Sequence, residues 1–125
     1  MKQIKFTDRF KFNFANINKI NDCYGVYFFT TQKTFSVYVG MAEKQPIKQR
    51  VKEYLKPWRN HNEKLKSFIS SPKYKIYFQF CCCKQDHVRE LESYLIEKLK
   101  PIANNDIPKK QTPLNNRFFD MEIIL

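Results

Sequence analysis

Glycine is almost missing from this chain: two residues in 125, Gly25 and Gly40. A protein this poor in glycine keeps it where a side chain is not tolerated, for φ > 0 or for close backbone approach. Two ordinary turn glycines are the bland alternative. Long apolar runs are missing too. The start, Met1-Lys2-Gln3-Ile4-Lys5-Phe6, breaks at Thr7-Asp8-Arg9 and has no apolar core of a signal peptide. No run has the length of a membrane span. The cysteines, Cys23 and the consecutive Cys81, Cys82 and Cys83, form no paired C-x-x-C knuckles, which argues against structural zinc. They do not resemble a disulfide framework either, so a reducing cytoplasm is the expected compartment. No repeat or low-complexity stretch is visible.

Acidic residues are scarce as well. Twelve Asp and Glu face 23 Lys and Arg, for a net charge of +11. Such an excess points to a polyanionic partner, because neutralising phosphates releases counterions. Nucleic acid is the first expectation and an anionic membrane surface the second; a lysine-rich genome is the bland reading. The apolar share is 42% and the aromatic share 16%, enough for a real core. The length fits one domain over 1–125.

Val26 to Phe29 and Phe35 to Val39 read as strands joined by the polar Thr30-Thr31-Gln32-Lys33, hence a hairpin. Phe35, Val37 and Val39 are expected on one face, Ser36 and Tyr38 on the other. Pro46 opens a helix with Ile47, Val51 and Leu55 inward, and Pro57 stops it. Asn60 to Ile69 reads as a second helix with Leu65, Phe68 and Ile69 inward. Lys75 to Cys83 alternates as a third strand, with Ile76, Phe78, Phe80 and Cys82 on one face. Asp86 is placed to cap a last helix running to Lys100, with Val88, Leu91, Leu95 and Leu99 inward. The order strand, strand, helix, helix, strand, helix predicts a small α/β or α+β layer with an antiparallel hairpin. The first twenty residues alternate Phe with polar residues and read as a strand or a docking arm. Phe118-Phe119 and Ile123-Ile124-Leu125 are expected to dock on the core.

Three local features point to a site. Each glycine stands near a strand tyrosine, in Gly25-Val26-Tyr27 and Tyr38-Val39-Gly40. If Phe29 faces Thr34, then Tyr27 faces Ser36 and Tyr38 lies diagonally on the same face; a one-residue slip separates the phenols. Amphipathic strand tyrosines are the ordinary alternative. Glu92 falls about 40° from Val88 on the helical wheel, inside the apolar stripe, while Glu90 and Glu97 fall on the far side and are expected to be solvated. A carboxylate there needs a cation, a metal or a salt bridge. Arg50 and Tyr54, four apart, stack on one side of the Pro46 helix.

These residues resemble the signature of the GIY-YIG nuclease family. Gly25-Val26-Tyr27 resembles the first triplet and Tyr38-Val39-Gly40 the second, with ten residues between the tyrosines. Ile47-Lys48-Gln49-Arg50-Val51 resembles the arginine helix, and Tyr54 matches the aromatic position after it. Glu92-Ser93-Tyr94-Leu95-Ile96 resembles the glutamate motif, and Pro101-Ile102-Ala103-Asn104 the closing P-x-x-N. Five elements in order over 25–104 are a far more specific signal than any one triplet. That leaves an arm, 1–22, and a tail, 105–125, outside the motif core. The pattern is most similar to the catalytic domain of bacterial excision-repair incision nucleases. It departs from them at Met41, where they carry a lysine.

The resemblance implies a three-stranded antiparallel sheet flanked by helices, and DNA hydrolysis with one divalent cation, Mg²⁺ or Mn²⁺, held by Glu92. Arg50 would brace the non-bridging phosphate oxygens, Tyr54 would orient the scissile phosphate, and Asn104 would fix a turn or touch the phosphate. Tyr27 is the expected general base and Tyr38 its partner, with the reverse assignment open. Products with 5′-phosphate and 3′-hydroxyl ends follow from the likeness. Lys44, Lys48, Lys52, Lys56, Arg59, His61 and Lys64 are candidates for DNA contact, with Lys66, Lys109, Lys110 and Arg117 extending them and Trp58 a possible stacker. One domain has one active site, so nicking by a monomer is the simplest outcome, and a partner protein is one source of specificity. The competing readings are a non-catalytic nucleic-acid-binding module of the same fold and, more distantly, a membrane-surface protein.

Overall fold

The computed structural model describes residues 3–56, 63–104, 116–119 and 121–125. Its centre is a four-stranded antiparallel sheet with helices on both faces, an α+β architecture. The strands, in chain order, are β1 (Gln3–Lys5), β2 (Phe10–Lys11), β3 (Gly25–Thr31), β4 (Ser36–Ala42), β5 (Ile76–Cys82) and β6 (Glu122–Ile124). The sheet runs β2-β5-β3-β4, and β1 pairs in parallel with β6 as a separate ribbon. The expectation of three strands is therefore corrected to four. The fourth is the two-residue β2, which pairs Phe10 with Phe78 and Lys11 with Tyr77. The N-terminal arm thus supplies both a sheet edge and half of a ribbon.

β3 is buried along all seven residues, as a strand with partners on both sides and layers on both faces must be. Its odd members Tyr27 and Phe29 join Phe12, Phe78, Phe80, Ile47, Val51 and Leu65 in one apolar cluster. Its even members Val26 and Phe28 join Val39, Val88, Leu91 and Leu95 in a second cluster on the opposite face. β5 alternates as expected, with Ile76, Phe78 and Phe80 on the first face.

The hairpin register differs from the expected one. Tyr27 pairs with Gly40 and Phe29 with Tyr38, while Thr30 pairs with Ser36, so β4 carries an extra residue at Val37. That bulge turns Val37 toward the first cluster while Val39 faces the second. The expected single face of Phe35, Val37 and Val39 does not form, and Phe35 is 56% exposed. The displacement from Ser36 to Gly40 is an even number of residues, so Tyr27 and Tyr38 still share a face.

Helix α1 (Ile47–Lys52) follows the capping Pro46 and tightens into a 3-10 turn at Glu53–Leu55. Ile47 and Val51 are fully buried and Leu55 packs at the cluster's edge. α2 (Glu63–Ser70) buries Leu65. α3 (Val88–Leu99) buries Val88, Leu91 and Leu95 against the second face. The expected Asp86 cap is absent: α3 is preceded by a 3-10 turn at Gln85–His87, and its cap position, His87, makes no side-chain cap bond. α3 ends at Lys100, a left-handed residue with φ 47°, before Pro101.

The loop after α3 covers the outer edge of β4, where unpaired backbone groups would otherwise face water. The Ile102 and Ala103 N–H groups donate to the carbonyls of Ser36 and Val37, at 3.3 and 2.8 Å. The Asn104 amide serves both backbone groups of Val39, donating at 2.9 Å and accepting at 2.9 Å.

The tail docks on α3. Arg117 makes a two-pronged pair with Glu90, Nε to Oε2 at 2.7 Å and the terminal nitrogen to Oε1 at 2.9 Å. Glu90 is thus a tether rather than a solvated residue, and Arg117 is held by it rather than left to DNA. Phe118 is buried as expected, whereas Phe119 and Leu125 are exposed. Cys23 and Cys82 form a disulfide across 59 residues of sequence. This overturns the expectation that the cysteines form no disulfide framework. Cys81 and Cys83 are free and half-buried. Among the described residues, no helix is long and apolar enough to cross a membrane.

Candidate active site

A cleft of about 410 Å³ opens where β3 and β4 meet α1 and α3. Its walls include Tyr27, Tyr38, Arg50 and Glu92, with Lys44 at the rim. Four chain segments from 27 to 92 therefore converge on one space.

Both glycines are explained by close approach, since neither has positive φ. A Cβ on Gly25 would collide with the backbone carbonyl of Cys81 on the neighbouring strand. A Cβ on Gly40 would lie 2.5 Å from the ring and hydroxyl of Tyr27. Gly40 is directly opposite Tyr27 in the ladder, so its missing side chain is the space that the phenol occupies.

Tyr27 is fully buried, and its hydroxyl lies 2.9 Å from that of Tyr54. Tyr38 is half-buried, with its ring 6.3 Å from that of Tyr54. The Arg50 guanidinium sits 6.0 Å from the Tyr54 ring centroid, which matches the expected stacking of residues four apart. Burial raises the pKa of all three phenols above the ordinary value, and the Arg50 charge works against that rise.

Glu92 projects from the apolar side of α3 into the cleft. Burial, reinforced by the Glu43 carboxylate and opposed by Arg89, pushes its carboxyl up to about 7. No ion pair with Glu92 occurs among the described residues, and the Arg89 guanidinium is committed elsewhere. Arg89 donates from Nε to both carboxylate oxygens of Glu43, at 2.8 and 2.9 Å. The backbone carbonyl of Glu43 also accepts from the Gln85 side chain. This clamp ties the loop after β4 to the start of α3 and fixes one wall of the cleft.

Glu43 and Arg89 were missed by sequence reasoning. Arg89 carried a signal, standing three residues before Glu92 on the same helix side. Glu43 carried none beyond its nearness to Gly40. Asn104 is not in the cleft lining; its amide is spent on the Val39 backbone, between Tyr38 and Gly40. Of the proposed DNA contacts among the described residues, only Lys44 lines the cleft. Lys52 and Lys64 are exposed and Lys48 half-buried, outside that lining. Lys56 pairs with Glu53 at 3.7 Å. Arg59, His61, Trp58, Lys109 and Lys110 lie outside the described residues.

A profile of the GIY-YIG catalytic domain matches residues 23–106, about two thirds of the chain and every wall of this cleft. The chain belongs to the GIY-YIG nuclease family. No curated protein matched it. The GIY-YIG domain indicates an endonuclease-type hydrolase with DNA as its substrate class, typically assisted by a divalent metal. The donor chemistry here fits such an ion. Glu92 offers a hard carboxylate oxygen in no ion pair among the described residues, and Mg²⁺ keeps most of its waters, so one carboxylate suffices. Among the described residues no group of three or more acidic, His or Cys ligands occurs.

Proposed function

We propose that this protein is a divalent-metal-dependent endonuclease that hydrolyses DNA phosphodiester bonds, using one Mg²⁺ or Mn²⁺ ion per site and nicking one strand as a monomer. The observation that carries the reading is Glu92: a carboxylate on an apolar helix face, in no ion pair among the described residues, opening into a cleft lined by Tyr27, Tyr38 and Arg50. A purely structural carboxylate would take the guanidinium three residues away, yet Arg89 is turned to Glu43.

Glu92 would hold the ion, which when bound supplies positive charge to a phosphate oxygen and acidifies nearby hydroxyl groups. Arg50 offers a fork of donors to the non-bridging oxygens, where charge grows in the transition state. Tyr38 is the half-buried phenol of the cleft, whereas Tyr27 is fully buried. It is therefore the better candidate to take the proton from attacking water. Tyr27, fully buried against Tyr54, orients that phenol layer from behind. This reverses the preference drawn from the sequence, which named Tyr27 first. Tyr54 then acts through Tyr27 and Arg50 rather than on phosphate directly. Asn104 acts by holding β4 in place. Lys44 meets the incoming backbone at the rim. Specificity beyond this domain would come from a partner protein.

Supercoiled plasmid incubated with Mg²⁺, with Mn²⁺ and with EDTA, beside a Glu92→Ala variant, tests the reading. Open circles that need both metal and Glu92 are expected. Binding without any metal-dependent cleavage, on plasmids carrying a random-site library, would instead make the protein a non-catalytic binding module.

A further inference from the structure

A second groove, of about 460 Å³, lies at the other end of β4. Phe35, Phe68, Tyr74 and Ile102 supply its apolar surface, and Lys33 and Lys73 its charge. Among the described residues, none that lines it is acidic. Phe35 is 56% exposed and Ile102 40%. The Phe68 and Tyr74 rings lie 5.0 Å apart, and the Lys73 ammonium sits 5.6 Å from the Tyr74 centroid. Neither Lys33 nor Lys73 is in an ion pair among the described residues.

An aromatic ring held open to water beside unpaired cations suits a flat, apolar group attached to a negative charge. A base on its phosphate backbone has that chemistry. Stacking on an aromatic side chain while lysines follow the backbone is how single strands are bound without sequence reading. A paired base inside a duplex offers no free face.

The groove is also in line with the catalytic cleft. Phe68 and Tyr74 pack against the same apolar cluster as Tyr38 and Tyr54, so both features lie on one face of the sheet. Phe35 immediately precedes β4, and Tyr38 is three residues on, about 10 Å along a strand. Stacked nucleotides rise about 3.4 Å each, so the groove stands about three nucleotides from the cleft.

We propose that this groove stacks an unpaired base of the DNA strand being cut, so that the substrate class is DNA with a single-stranded or displaced segment beside the scissile bond. This rests on the nuclease reading above. Phe35 is the principal stacking residue. Its backbone N–H and carbonyl both bond to Thr31, and those bonds survive a side-chain change.

The test is binding in EDTA of short single strands with 2-aminopurine placed at successive positions, alongside a blunt duplex. The full chain is compared with Phe35→Ser, Phe35→Tyr and the double variant Lys33→Gln/Lys73→Gln. Wild type and Phe35→Tyr should quench the probe at one position. Phe35→Ser should lose that quench and bind single strands about tenfold more weakly, with duplex affinity unchanged within about twofold. The lysine variant should show a shallower salt dependence. Equal single-strand affinity for wild type and Phe35→Ser, or no position-specific quench, overturns the proposal. Plasmid cleavage is scored separately. Cleavage together with a silent Phe35→Ser sinks only the groove, whereas a Phe35-dependent quench without cleavage supports the groove and sinks the catalytic reading.

Discussion

Gly40 faces Tyr27 across the β3–β4 ladder, and a Cβ at Gly40 would lie 2.5 Å from the tyrosine ring and hydroxyl. The phenol cannot yield by swinging outward, because it is fully buried and its ring stacks on Phe78 at 5.6 Å. Gly40→Ala should therefore displace the ring or part the strands. The expected cost is about 1–3 kcal/mol of stability, as for other overpacked cores, and about 100-fold in cleavage from misplaced catalytic groups. Urea unfolding and plasmid nicking measure the two effects. A variant with native activity would show that Tyr27 needs no fixed position.

Asn104 tests whether a residue outside the cleft governs it. Its amide makes two bonds to the Val39 backbone, next to Tyr38. Asn104→Ala leaves those edge groups to water and should cost about 1–2 kcal/mol. If Asn104 acts only by position, kcat falls severalfold while the metal dependence and pH profile keep their shape. A changed metal requirement would instead put Asn104 in contact with the reaction.

The strand β5 and the helix α3 were legible because their burial is periodic: Ile76, Phe78 and Phe80 alternate, and Val88, Leu91 and Leu95 recur at helical spacing; β3, buried throughout, was legible as an unbroken apolar and aromatic run. Glu92 was legible as a break in that period. The hairpin register was not, because the extra residue at Val37 leaves no mark in the apolar pattern. β2 was too short to read, with two residues held by the neighbour rather than by propensity. The Glu43–Arg89 clamp and the Cys23–Cys82 bridge join residues 46 and 59 apart, and such pairings are set by topology alone. The core of the site was legible because its chemistry is concentrated in local triplets; its supports were not, because they are long-range.

The disulfide gives a stability prediction. Closing a loop between partners 59 residues apart restricts the unfolded chain by about 4 kcal/mol. Reductant should lower the Tm of the wild type and leave a Cys23→Ser/Cys82→Ser variant unmoved. Cys83, whose thiol burial pushes up to about 11, is a poor nucleophile and should not exchange into the bridge at neutral pH. Equal melting with and without reductant would show that the bond does not form in solution.

Glu92 separates function from stability. With its carboxyl pushed up from the ordinary 4.5 to about 7, the native state between those values holds a proton that the unfolded chain has lost. The penalty is absent below about pH 4.5, grows as pH rises toward 7, and is complete above it. In EDTA, Glu92→Gln should therefore be more stable than wild type at pH 8, on the order of 2 kcal/mol, and no more stable at pH 4. Added Mg²⁺ should raise the wild-type Tm, because an ion that binds only the native state stabilises it, and should leave the variant unchanged. The variant should lose turnover altogether. Chemical denaturation at the two pH values measures the gain, and a difference that does not vary with pH would show that Glu92 is ordinarily solvated. A residue that weakens the fold when its charge is uncompensated, and is kept nonetheless beside a guanidinium already turned to Glu43, is what a cation-binding role requires.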